Sequence, residues 1–143
     1  MAAPLSLKQR SGPRSGHLGD VACHTLPAEV SAVPQARSFA EAHLAAWCVD
    51  DDTADVVRLV VSEFVTNSVR HSGAPEVTLR LVRCRSQVRV EVIDSGVWRD
   101  PEPRGSDDGV AEGGRGLALV SALTRRCGVC RTSVGTCVWA LLH

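Results

Sequence analysis

Read in order, the elements β-α-α-β-β-loop-α-β-β predict an α/β (α+β) fold, a two-layer sandwich with helices on one face of a mixed, mostly antiparallel sheet. Three observations carry this reading. Thr53 to His71 holds apolar residues at helical spacing. Val77 to Val82 and Val88 to Ile93 alternate apolar and polar residues on either side of a short turn at Arg85-Ser86. Val129 to Ser133 and Cys137 to Leu142 repeat that pattern as a closing hairpin around Val134-Gly135-Thr136.

The remaining elements follow in order. Val21 to Leu26 is apolar enough for a first strand at an edge. Ala36, Phe39, Ala40, His43, Leu44 and Trp47 mark a helix over Ala32 to Trp47, with Pro34 where a first turn accepts it. Asp50-Asp51-Asp52 then favours the start of the second helix, whose free N–H groups carry partial positive charge. Gly73 supplies a left-handed cap and Pro75 cannot continue the helix. Asp94 to Gly114 is rich in Gly, Pro and acids and has no sustained period, so it reads as a long loop of the kind that covers a ligand. Gly116 to Arg126 resumes as a short helix.

At 143 residues the chain has room for one core. Residues 1–20 read as a disordered tail without a secretory signal, and residues 21–143 as the domain. Sixteen basic residues balance sixteen acidic ones, which argues against nucleic acid or an anionic membrane as the direct partner. No apolar run is long enough to span a bilayer. The expectation is a soluble, cytoplasmic protein. Its six cysteines then read as reduced, mostly buried or incidental thiols; Cys127-x-x-Cys130 is the one spacing open to metal or redox chemistry.

Three clusters can carry chemistry. Glu63, Asn67 and His71 recur four residues apart on the second helix, away from the face of Val57, Val61, Phe64 and Val65. A carboxylate and an amide one turn apart can hold an oxygen nucleophile beside a divalent cation. Asp94-Ser95-Gly96 leaves a strand into a turn, where the carboxylate can accept a hydrogen bond from the exocyclic amine of a base and Gly96 permits close approach. Gly113-Gly114-Arg115-Gly116-Leu117 opens a helix, where backbone N–H groups converge on phosphate oxygens. It is neither a Walker A sequence nor a dinucleotide fingerprint.

Together these residues resemble the Bergerat-fold (GHKL) ATPases. Glu63-x-x-x-Asn67 is similar to the N box, Asp94-x-Gly96 and Gly114-x-Gly116 to the two glycine boxes, and Gly135-Thr136 to the terminal Gly-Thr motif. Val61 to His71 and Gly114-Arg115-Gly116-Leu117 most resemble the bacterial anti-sigma-factor serine/threonine kinases. The resemblance implies ATP and Mg²⁺ as cofactors, with Asn67 as the metal ligand and Glu63 as catalytic base. It assigns Asp94 to the adenine amine, supported by Thr136, and Gly96, Gly114, Arg115, Gly116 and Leu117 to the nucleotide, with His71 at its edge. Trp98 to Glu112 would be the lid.

The implied partners are an anti-sigma-factor antagonist protein as substrate and a sigma factor as target, with homodimerisation through the first strand and helix as an option. In the first glycine box Trp98 stands where the family often has a second glycine. The terminal motif can also be read one residue later, which would put Cys137 where a threonine is usual. A second reading is therefore a catalytically weak or inactive, nucleotide-gated binding module that sequesters a partner. The ATP-binding fragment of a sensor histidine kinase fits less well, because the chain has no room for a helical phosphoacceptor domain.

Overall fold

The computed structural model describes residues 19–96 and 112–143, the side chains at 112–115 excepted. The expected tail up to residue 18 and the expected lid up to residue 111, including Trp98, lie outside them. Along the chain run β1 (Asp20–Pro27), α1 (Ala32–Ala46), α2 (Asp51–His71), β2 (Glu76–Cys84), β3 (Gln87–Asp94), α3 (Glu112–Leu123), β4 (Arg126–Thr132) and β5 (Gly135–Leu142). The strands form one sheet in the order β1-β2-β3-β5-β4. The two-layer expectation stands, with one refinement: all four pairings are antiparallel, so the sheet of the described residues is not mixed.

Alternation decides which face packs. Val77, Leu79 and Leu81 on β2, Val88, Val90 and Val92 on β3, and Val138, Ala140 and Leu142 on β5 are all buried. They point toward α2, which buries Val57, Val60, Val61, Phe64 and Val65 against them. α1 presents Ala32, Ala36, Ala40 and Leu44 at four-residue spacing, and small alanines let its backbone come close. Leu81 is fully buried at the centre of this layer. Leu81→Ala should cost about 2–5 kcal/mol, the range for truncating a core leucine, read as a lower denaturant midpoint at unchanged slope.

The three aspartates divide their work. Asp50 is the N-cap of α2 and accepts a hydrogen bond from the Thr53 N–H (2.9 Å), while Asp51 and Asp52 sit in the first turn. At the same end the Thr53 hydroxyl donates to the His143 carbonyl (2.7 Å), tying the helix to the end of β5. The hydrogen bonds from Thr53 hold the Asp50 carboxyl below the ordinary aspartate value. A lowered folded-state value means the cap stabilises above the unfolded-state pKa and is lost as pH falls through the folded-state one. Asp50→Ala should therefore melt below wild type near neutral pH, and the gap should close under acid. Thermal melts of both proteins across that range check this.

At its other end α2 stops at Gly73, whose φ of 67° is the left-handed conformation expected for a cap. The β2–β3 turn uses Arg85 at φ 58°. α3 departs from expectation. It starts at Glu112, so Gly113 to Gly116 lie inside its first turns, and it ends at Leu123 rather than Arg126. The hydroxyl and N–H of Thr124 both close on the Val120 carbonyl, and the Arg125 N–H goes to Leu141, which starts β4.

The cysteines also differ from expectation. All six are free thiols; five are exposed and Cys137 is half-buried. Cys23 and Cys130 fall on the sheet face away from the helices, Cys48 follows α1, Cys84 ends β2, and Cys127 stands on an edge strand. The thiols of Cys23 and Cys137 are pushed above the ordinary value, chiefly by desolvation. Among the described residues no group of three or more His, Cys, Asp or Glu could hold a metal, and no helix is long and apolar enough to cross a membrane.

Candidate functional site

α2 carries the site because the helix has two kinds of buried residue on one side. Its apolar stripe fastens it to the sheet, and next to that stripe Asn67 and Ser68 are each only 7% exposed. The Ser68 hydroxyl donates to Asp94 Oδ2 at 2.5 Å. The Gly96 N–H donates to Asp94 Oδ1 at 2.8 Å. Asp94 is thus held by one oxygen from the helix and by the other from its own turn, half-buried at the end of β3.

Thr136 completes this end. It stands opposite Asp94 in the β3–β5 register, is buried, and donates its hydroxyl to the Gly96 carbonyl at 3.1 Å. In this register Thr136 faces the helices, and Cys137, one residue on, faces away. Two glycines are required by proximity. A Cβ at Gly96 would lie 2.3 Å from the Ser72 carbonyl oxygen, and one at Gly135 would lie 2.0 Å from the Asp94 carbonyl oxygen. Both obstacles are backbone and cannot move aside cheaply.

The other end is formed where α3 crosses α2. Gly116 is buried directly against Glu63: a Cβ there would stand 1.9 Å from Glu63 Oε2. The free N–H groups of α3 belong to its first turn, with Gly113 and Gly114. Arg115 and Gly116 come after it, within the helix. Leu117 packs on the core and anchors α3. Asn67 is one turn beyond Glu63. Its carboxamide has no hydrogen-bond partner among the described residues, and none of their sealed side-chain polar atoms is left unpaired. His71 is exposed at the last residue of α2.

Most of the expected site residues converge on one side of α2: Asp94, Gly96 and Thr136 at one end, Glu63 and Gly116 at the other, Asn67 between. His71 shares only the helix end. Ser68 and Ser72 were not foreseen. Ser68 had a signal, since it lies four residues after Phe64 on the buried stripe, where a polar side chain needs a partner. Ser72 had none beyond its place at a helix end. Two cavities formed by described residues lie elsewhere. One of about 400 Å³ is at the opposite end of α2, beside Thr53 and His143. Another of about 320 Å³ lies between α1 and the Thr66–Arg70 side of α2.

Helix, strand end and glycine-opened helix thus meet on one side of α2. A family model described as the histidine kinase-like ATPase domain matches residues 26–142. The chain belongs to this family. Membership makes ATP the ligand class of this domain.

Among solved structures, the RsbU and RsbW domains of Rv1364c from Mycobacterium tuberculosis match with a TM-score of 0.68 and 23% identity, over 87% of this chain and 32% of that one. This likeness is one of fold, and the chain spans about a third of that protein's solved length. The histidine kinase domain of the Erythrobacter litoralis EL346 blue-light activated histidine kinase matches at 28% identity over 63% of this chain and 44% of that one, with a TM-score of 0.46. Its shape is too distant to add to the fold.

Proposed function

We propose that this histidine kinase-like ATPase domain is an ATP-dependent protein serine/threonine kinase of the anti-sigma type, acting in the cytoplasm on an antagonist protein and holding a sigma factor as its target. The observation that carries the reading is the pairing of Glu63, packed against Gly116, with the buried Asn67 one turn away, on the helix that also holds Asp94.

Each residue then has a task. Asp94, with both oxygens oriented by Ser68 and Gly96, accepts a hydrogen bond from the adenine amine. Thr136 stiffens that end through Gly96. The first turn of α3 offers its free N–H groups and positive dipole end to phosphate oxygens. The Asn67 amide oxygen is a hard donor suited to Mg²⁺, and none of the described residues takes it up by a hydrogen bond. Bound magnesium would neutralise charge on the phosphate oxygens. Glu63 takes the proton from the attacking serine or threonine hydroxyl, the positioned base that phosphoryl transfer needs.

The test is incubation with labelled ATP, Mg²⁺ and a purified sigma-factor antagonist protein. The kinase reading expects label on a serine or threonine of that protein. Tight ATP binding by calorimetry without any label would overturn it in favour of a binding module that acts without chemistry.

A further inference from the structure

The sequence offers Cys127 and Cys130 as a pair, but the fold separates them. Three residues apart on an extended strand, they point to opposite faces of the sheet. Cys127 stands opposite Ala140, and Cys130 stands directly opposite Cys137 on β5. Both members of the second pair belong to the face away from the helices, in a row with Ile93, Thr78 and Thr25. Neighbours in that row touch: the hydroxyls of Thr25 and Thr78 are 2.8 Å apart.

Directly opposed residues of an antiparallel pair have Cα atoms about 4.5–5.5 Å apart. A disulfide spans Cα separations of about 4.4–6.8 Å, so the backbone need not move for the two sulfurs to bond. Cys130 is exposed on an edge strand and Cys137 is half-buried behind it, which sets the order in which a reagent meets them.

We propose that Cys130 and Cys137 form a reversible cross-strand disulfide by exchange with a low-molecular-weight disulfide, making the β4–β5 hairpin a thiol–disulfide sensor. The Cys130 thiolate attacks one sulfur of the reagent, breaking its S–S bond and releasing one thiolate, which takes up a proton. The Cys137 thiolate then attacks the Cys130 sulfur of the mixed disulfide. The protein disulfide forms and the second reagent thiolate leaves, taking the other proton. Two protein thiols are oxidised and one small disulfide is reduced to two thiols. Cys137 adjoins Thr136, so the bond closes the hairpin that carries one wall of the nucleotide site, on the opposite face of the sheet.

The experiment is treatment of the folded chain with oxidised glutathione at neutral pH, followed by thiol titration after denaturation and peptide mapping. The expected result is a loss of two thiols from the six, a single Cys130–Cys137 linkage within one chain, and recovery of both thiols with dithiothreitol. Cys127→Ser should behave as wild type. Cys137→Ser, or Cys137→Ala should the first variant fold poorly, should stop at a stable glutathione adduct on Cys130. A Cys127–Cys130 linkage, a linkage between chains, separate adducts on Cys130 and Cys137 of wild type, or no reaction at either cysteine would each overturn the proposal. None of these readouts involves ATP, so its failure is separate from failure of the kinase reading.

Discussion

Glu63→Ala is expected to lower phosphoryl transfer by about 100- to 10,000-fold, the range for removing a general base, while ATP affinity changes by less than about tenfold. The asymmetry comes from position. Glu63 is half-buried under α3 with its carboxylate against Gly116, whereas adenine would be held at the Asp94 end and metal at Asn67. Deleting the carboxylate removes no group assigned to the nucleotide itself. Single-turnover transfer from labelled ATP, measured beside calorimetric titration, separates the two effects. A parallel collapse of ATP binding would show instead that Glu63 holds the nucleotide.

The second large effect is expected from the least conspicuous change available, Gly116→Ala. A methyl group there collides with Glu63 Oε2 at 1.9 Å, and the colliding atom is the end of a flexible side chain. The fold can therefore yield by rotating Glu63, at little cost to stability. Catalysis cannot yield so easily, because displacing a reacting group by about 1 Å costs about 100-fold. The expected result is a melting temperature near that of wild type with transfer reduced about 100-fold. Gly96→Ala and Gly135→Ala offer the contrast: their added carbons strike backbone at 2.3 and 2.0 Å, so those variants should lose stability along with activity.

What the sequence made legible was local and periodic. The stripe of α2, the alternation of β2 and β3, the left-handed stop at Gly73 and the aspartates before α2 depend on nearest neighbours along the chain, and each stands where its pattern placed it. The polar positions at four-residue spacing singled out Glu63 and Asn67 as candidates before any neighbour was known. Features set by distant contacts were harder to read. Ser68 has meaning only once β3 brings Asp94 beside it. Glu91 is a charged residue in the alternation of β3, on the face away from the helices, yet it is 7% exposed. Arg80 (2.9 Å) and Arg89 (2.6 Å) grip it from both sides, and Arg89 in turn lies over Trp139 at 4.4 Å. The cysteines sat in apolar stretches and so suggested burial, but the outcome turned on which strands became edges, which no local pattern states. The start of α3 was missed because its glycines are poor helix formers, and tertiary packing on Glu63 outweighs that preference.

The bond from Ser68 to Asp94 makes α2 a ruler. Glu63 and Ser68, which holds Asp94, lie on one rigid rod, so the spacing between the two ends of the site is set by residue count, at about 1.5 Å of rise and 100° of turn per residue. Side chains along this rod can be exchanged, but its length between positions 63 and 68 cannot. One inserted residue would swing Ser68 off Asp94 or Glu63 off Gly116, and no loop lies between them to absorb the error.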